Sequence, residues 1–448
     1  MHMRRMPAFL LAIAMLMGGG ASALGYVDPG TMRSGSELQA GTLDRTSIAV
    51  RATYDVKLTL RYEAGTFSAD STMRITNESG VSIDRLELNT ISANLGRMRV
   101  RTATVDGSRV TPRVEDMTLH VPLGGVLPNG ASATVRLVFD ATLRSGTAGS
   151  DWLFTRNTGI ITMYRWLPWI SRERPFARPS FGFPFMTRVS PKVTLQVTTD
   201  RSMKIATGGR RTSVTGLSQT FVAQNVRDMN IAASPWFQVL TGTVNGHTVQ
   251  VFHRPGGPGQ AMLDQAKAAL TRVEARLGTY PWPVLTIANS SSRDYGAASP
   301  GSIWLPTGVD TSSLAYLMTH EVAHQWFFGV VGNDLAKYPF AHEGTSEFMA
   351  RHLLGLQRAS RCPTSRLDLT IYQYTSNCFY ETVYVQGSLF LDTIRRRMGD
   401  SAFWRGVRLY MTERRFAFGS SKVFLDTLDR ATPLDLRSLF DTRFPSYY

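Results

Sequence analysis

The sequence predicts an α+β multidomain protein: an N-terminal domain of packed β-sheets followed by a mainly helical domain around one metal-binding helix. Three observations predict it. Between about residues 48 and 235, short runs alternate apolar and polar side chains with a period of two. From residue 260 onward the apolar spacing becomes helical and good helix formers dominate. Within an almost wholly apolar stretch of that second region stand His320, Glu321 and His324, with Glu343 following after eighteen intervening residues.

Residues 1–23 read as a signal peptide. Arg4 and Arg5 give the positive start, 8–17 an apolar run too short to span a bilayer comfortably, and Ala21-Ser22-Ala23 a small-x-small cleavage site. The expectation is export, periplasmic or extracellular, with no stable membrane insertion after cleavage. Residues 24–47 are polar and Gly-rich, a flexible lead-in. The β-rich domain is placed at 48–238. Val56-Lys57-Leu58-Thr59-Leu60-Arg61-Tyr62 alternates cleanly, as do 71–76 and 134–139, and turn residues separate the runs at Asp106-Gly107, Pro128-Asn129-Gly130 and Thr207-Gly208-Gly209. An aromatic, Pro-rich stretch from Trp152 to Phe185 interrupts it, mostly as packing, with about one aromatic in four expected to line a cleft.

The catalytic domain is placed at 239–448. A short strand pair turns at Asn245-Gly246, a helix is predicted over 260–277, and a strand over 284–288. A Ser-rich loop and Ser302-Ile303-Trp304-Leu305 lead into the metal helix. The region from 365 to the end reads as mainly helical, broken at Gly399, Gly419 and Pro433.

The net charge of +15 is carried mostly by dispersed Arg. No basic-aromatic module accompanies it, so nucleic acid is not a predicted partner, and the charge serves acidic surfaces or solubility. The two cysteines, Cys362 and Cys378, lack metal-ligand spacing. In an oxidising compartment a disulfide between them would add about 3 kcal/mol in the chain-entropy model; two free thiols are the alternative.

The chemistry concentrates at His320-Glu321-Val322-Ala323-His324. Positions i and i+4 of a helix share a face, so both imidazoles can meet one cation. Two neutral imidazoles and a carboxylate, Glu343, make a three-ligand set for one Zn²⁺ per chain with a fourth position open. Glu321, beside the first ligand, is placed to take a proton from water. With 8 His in the chain, composition alone yields this pattern roughly 0.004 times per chain. Polar groups in so apolar a helix would be costly without a metal to satisfy them. His342 is a rival ligand expected to point off the face that Glu343 uses.

These residues resemble the aminopeptidase N-like zinc metallopeptidases of the gluzincin clan. The zinc-helix run continues as Gln325-Trp326-Phe327 and the third ligand as Glu343-Gly344. Val226-Arg227-Asp228-Met229, Ala233-Ser234-Pro235, Gly278-Thr279-Tyr280-Pro281 and Val383-Tyr384-Val385-Gln386-Gly387 extend the match from about residue 50 to the end. The resemblance implies a saddle-like β domain, a thermolysin-like catalytic domain and peptide substrates. The large helical C-terminal domain of many relatives is not in this sequence. It implies Glu321 as general base and Tyr384 as a donor to the developing oxyanion, with Tyr380 the alternative for that role. It places substrate binding at Asp294, Gly296, Ala297, Ala298 and Ser299. There the family's amine-binding Glu is replaced by Ser299, and a hydroxyl cannot replace a carboxylate's charge-assisted bond to an ammonium. The expected function is a secreted zinc peptidase, with aminopeptidase action favoured. The alternatives are a zinc endopeptidase or relaxed-specificity peptidase, and a non-catalytic zinc-containing peptide-binding protein. A basic adhesion protein would leave the ligand set unexplained.

Overall fold

Alternation of apolar and polar residues builds the first half into sheets. In the strand Val50–Arg61, Val50, Ala52, Tyr54, Val56, Leu58 and Leu60 are buried while their neighbours face outward. The computed structural model describes residues 36–172, 186–292 and 294–448. The signal-peptide expectation for 1–23 and the aromatic residues Phe181 and Phe183 lie outside the described residues.

Val50–Arg61 sits near the middle of an eight-stranded sheet, pairing antiparallel with Thr66–Asn77 and parallel with Val193–Thr199. The predicted hairpin turn at Asp106-Gly107 joins two of its strands, and both residues adopt positive φ (48° and 83°), which Asp and Gly tolerate. Two four-stranded sheets complete the β-rich half. One contains Phe154–Asn157, Ile160–Met163 and Ile231–Ser234, and so pairs the strand hairpin after Leu153 with the chain entering the second half.

The second half opens on a five-stranded mixed sheet. Its order is Gln238–Val244, His247–His253, Val284–Ser290, Ser302–Pro306 and Ala297–Ser299 at the edge. The helix Gly259–Leu277 makes the crossover between the two parallel strands, burying Met262, Leu263, Ala266, Leu270 and Val273. The zinc helix Thr311–Ala323 packs beside it, its N-terminus capped by the Asp310 carboxylate accepting from the Ser312 N–H at 3.0 Å. The helices Thr345–Leu354, Gly387–Met398, Asp400–Glu413 and Ser421–Arg430 follow. This is the predicted order, a β-rich first half before a mainly helical second half.

The two halves meet around Arg227. Its side chain is fully buried and donates to three carbonyls, Thr187 at 3.0 Å, Ala417 at 2.7 Å and Gly329 at 3.4 Å, and lies over the Phe418 ring. Burial lowers its pKa to about 9. A Cβ on Gly332 would fall 2.4 Å from the guanidinium, so only glycine leaves room there. Among the described residues, no helix is long and apolar enough to cross a membrane.

Candidate metal centre and cleft

The zinc helix delivers its two histidines as the i, i+4 spacing requires. His320 Nε2 and His324 Nε2 are 3.1 Å apart, and Glu343 Oε2 lies 3.3 Å from the first and 3.4 Å from the second. All three side chains are buried. This triangle carries a fit test for the cation. Ligands at about 2.0–2.1 Å in a tetrahedron stand roughly 3.3 Å from one another, and the three measured edges agree. The sequence-predicted set His320, His324 and Glu343 is thus brought together.

Glu343 does not sit in a regular helix. The turn Phe340–Gly344 is wider than an α-helical one and runs directly into the helix Thr345–Leu354. The chain after the zinc helix widens likewise, with Gly329 N–H and Val331 N–H each reaching back five residues to the carbonyls of His324 and Trp326. Such turns rotate side chains off the α-helical path. His342 is one result: it does not point away from the site as expected but lines the cleft, stacked on the His324 ring at 4.1 Å. Its Nδ1 faces the Phe327 carbonyl at 2.9 Å, and burial lowers its pKa to about 3.

Outside partners orient both ligand imidazoles. His320 Nδ1 donates to Glu347 Oε2 at 3.0 Å, since a carboxylate can only accept. His324 Nδ1 stands 2.9 Å from Ser346 Oγ. The His320 Nε2 lone pair is thereby left for a cation, and so is that of His324 when its Nδ1–H donates to the Ser346 hydroxyl, which can take either role. Glu347 is itself held by Arg351 Nε at 2.6 Å and the Tyr316 hydroxyl at 2.6 Å. Sequence reasoning missed Glu347 as a supporting residue, although its position four before Arg351 puts the two on one helix face and makes them an ion pair.

Glu321 lies beside this triangle in the same cleft. Burial, opposed by His320 and reinforced by Glu343, pushes its carboxyl up to about 7. Burial alone would raise the Glu343 carboxyl, but His324, His342 and His320 hold it well below the usual range. The Tyr384 ring stacks on His320 at 5.7 Å and lines the cleft, and burial together with the nearby Glu343 carboxylate raises its hydroxyl well above the usual range. The alternative, Tyr380, also lines the cleft, but its hydroxyl is engaged by Tyr316 and Arg351, each at 3.2 Å, and by Glu347 at 3.4 Å.

The edge strand Ala297–Ser299 forms the opposite wall. Gly296 is required there, because a Cβ would lie 2.4 Å from Glu321 Oε1. Gln325, next to the second histidine, clamps the strand by donating to the Ser299 carbonyl at 3.0 Å and accepting from Gly301 N–H at 2.9 Å. Asp294, Gly296, Ala297 and Ala298 line the cleft. Ser299 does not: its hydroxyl turns behind the strand and donates to the buried Asp228 carboxylate. Of the aromatic stretch, Trp152 and Tyr164 reach the cleft, and Trp152 stacks on Tyr295 at 6.3 Å, while Trp166 and Trp169 are packing residues. The cleft encloses about 430 Å³. Below it, Cys362 and Cys378 are disulfide-bonded, closing the loop that precedes the tyrosine segment.

No family model matches the chain. It is 20% identical over 438 residues to mitochondrial aminopeptidase 2 of Saccharomyces cerevisiae, covering 86% of this chain and 45% of that one. With the alanine/arginine aminopeptidase of the same yeast, identity is 23% over 445 residues, covering 87% and 50%. The chain spans about half the length of these curated relatives. Among solved structures, an M1 zinc metallopeptidase mutant of Deinococcus radiodurans superposes with a TM-score of 0.72 at 18% identity, covering 88% of this chain and 94% of that one. The same mutant bound to a Tyr-Ser-Ala substrate gives 0.70 at 19%, with the same coverage. The chain therefore has the fold of the M1 zinc metallopeptidases, the aminopeptidase N-like fold that its zinc-helix residues resemble.

Proposed function

We propose that the chain is a zinc-dependent metallopeptidase that hydrolyses peptide bonds, with aminopeptidase action favoured. The observation that carries this reading is the 3.1–3.4 Å triangle of His320, His324 and Glu343 with Glu321 beside it in one cleft. Zinc, when bound by these three residues, supplies Lewis-acid polarisation of a carbonyl and makes water more acidic.

The chain's own groups divide the rest of the work. Glu321 takes the proton of the attacking water and later returns it to the leaving amine. Tyr384 donates its hydroxyl to the oxygen on which negative charge develops, an interaction of about 3 kcal/mol at such sites. The edge strand Ala297–Ser299 offers free backbone groups for an extended peptide, held in place by Gln325. Asp294 supports aminopeptidase action: besides Glu321 and Glu343 it is the only carboxylate among the described cleft-lining residues, and an α-ammonium leaving water needs such a partner. Ser299 favours a second reading, an endopeptidase or relaxed-specificity peptidase, because its hydroxyl is engaged by Asp228 and turned away from any substrate amine.

Matched peptides with free and acetylated N-termini separate the two. Selective cleavage of free peptides, with KM raised in Asp294→Asn, supports the aminopeptidase; equal cleavage supports the alternative. Glu321→Gln keeps the metal and lowers turnover by orders of magnitude; near wild-type turnover in that variant removes Glu321 as the base. The bonded cysteines support export, which N-terminal sequencing of the mature protein from the cell envelope or medium tests.

A further inference from the structure

We propose that a second cavity, about 700 Å³, is an anion-binding exosite that takes an acidic segment of the peptide, a carboxylate against guanidinium and an adjoining flat side chain against indole. Its ligand class rests on the peptidase reading above. The cavity lies where the two halves of the chain meet: Tyr62, Arg156, Gly159 and Trp236 come from the first, Arg254 and Pro255 from the second.

The electrostatic balance of the cavity is positive. Arg156 lies over the Tyr62 ring at 5.2 Å, and Arg201, adjoining, lies over Tyr62 at 5.4 Å and Trp236 at 5.9 Å. One carboxylate, Glu63, serves both, at 3.9 Å from Arg156 and 2.6 Å from Arg201. The backbone N–H of Arg254 is fixed by Asn289, but its guanidinium has no ion-pair partner among the described residues. Asp200 lies nearby too, its Oδ1 accepting from the Tyr62 N–H at 3.0 Å. Three guanidiniums against two carboxylates leave one positive charge for a further anion, and the planar fork of Arg suits a carboxylate.

The apolar component is unusual for a surface. Trp236 is 52% exposed, yet its ring is fixed. It lies on the bare backbone of Gly159, where a Cβ would come within 2.5 Å of the indole, and it meets Tyr62 edge to face at 5.9 Å. A rigid, solvent-facing indole costs little entropy when it binds a flat group, and such anchors dominate recognition sites.

Position argues for the peptide as the ligand. Arg156 stands three residues along the chain from Leu153, which lines the cleft. At about 3.3 Å per residue that is roughly 10 Å, a span an extended peptide covers in three residues. The Asn157 carbonyl also accepts from Ser291 Oγ at 3.3 Å, tying this rim to the loop that carries Asp294 and Tyr295 to the cleft.

Two amidated hexapeptides, Ala-Leu-Ala-Ala-Glu-Phe and its glutamine counterpart, test the proposal. The wild type should cleave the glutamate peptide with about tenfold higher kcat/KM at low salt, mostly through KM, an advantage that falls as salt rises. Arg254→Ala and Arg156→Ala should lose that preference while cutting the glutamine peptide like the wild type, and Trp236→Ala should weaken binding of both peptides. Equal cleavage of the two peptides by the wild type overturns the proposal, as does a preference that survives in the double arginine variant. Fluorescently labelled forms titrated into Glu321→Gln keep the test independent of turnover. A binding preference without any cleavage in the wild type leaves the exosite standing and removes the peptidase reading; no preference in binding removes the exosite.

Discussion

Glu347→Gln should weaken zinc binding in a protein that otherwise stays folded. The Glu347 carboxylate is wholly buried and accepts from four donors: His320 Nδ1 at 3.0 Å, Arg351 Nε at 2.6 Å, the Tyr316 hydroxyl at 2.6 Å and, more weakly, the Tyr380 hydroxyl at 3.4 Å. Glutamine has nearly the same shape but only one accepting oxygen. If its NH₂ meets Arg351, donor faces donor in a site with almost no water. If its NH₂ meets His320, the imidazole must move its proton to Nε2, and the lone pair that would hold the cation disappears. Loss of such a supporting partner typically costs about 10–100-fold in metal affinity, or roughly 1.4–2.7 kcal/mol. Competition with a zinc chelator of known affinity measures it directly, without reference to turnover. A thermal midpoint for the metal-free variant within a few degrees of wild type would show that the loss is local. Wild-type zinc affinity in a folded Glu347→Gln protein refutes the reasoning, because the tautomer of His320 would then not depend on this carboxylate.

Tyr384→Phe should lower kcat more than it raises KM, since the lost hydrogen bond strengthens as charge develops; steady-state kinetics with Tyr380→Phe alongside checks it, and an unchanged kcat in the first with a crippled second moves the role. Gly296→Ala should leave zinc bound but lower activity at least tenfold, because the new methyl lies 2.4 Å from Glu321 Oε1 and displaces the base or the edge strand; wild-type turnover in a zinc-loaded variant contradicts this. Replacing both cysteines by serine should lower stability by about 3 kcal/mol in the chain-entropy model, read as a drop in denaturation midpoint, whereas an unaltered midpoint would show that the surrounding contacts already hold the loop.

The ligand set was legible because a helix converts sequence spacing into geometry: His320 and His324 had to share a face, and Glu343 completed a donor set with few other chemical uses. The strands were legible for a similar reason, since the inward residues of Val50–Arg61 alternate without a break. What escaped the sequence depends on partners brought from far along the chain. Ser299 stands where a substrate-binding residue was expected, but Asp228, 71 positions earlier, draws its hydroxyl behind the strand. Trp152 belongs by sequence to the β-rich half and by position to the cleft wall. His342 was expected to face away, and the wide turn Phe340–Gly344 rotates it inward. A period of 3.6 cannot foresee that rotation, because a wide turn leaves no mark in apolar spacing.

The carbonyls gathered by Arg227 belong to Thr187, Gly329 and Ala417, one from the β-rich half, one from the end of the zinc helix and one from the late helical region. A buried cation held this way has no simple substitute: a lysine offers one ammonium where three directions must be met, and an apolar residue leaves three carbonyls without donors. Each of the three segments is thus a condition for the solvation of the same charge. The second half is in consequence not a portable module. Grafted behind another β domain, or expressed from 239 onward, it would lack both Arg227 and Thr187, and Gly329, Gly332 and the segment around Ala417 would face a hole shaped for a guanidinium. Exchange of parts between relatives of this fold would have to carry the latch whole, so recombination at the apparent boundary between the halves is the place where hybrid chains should fail.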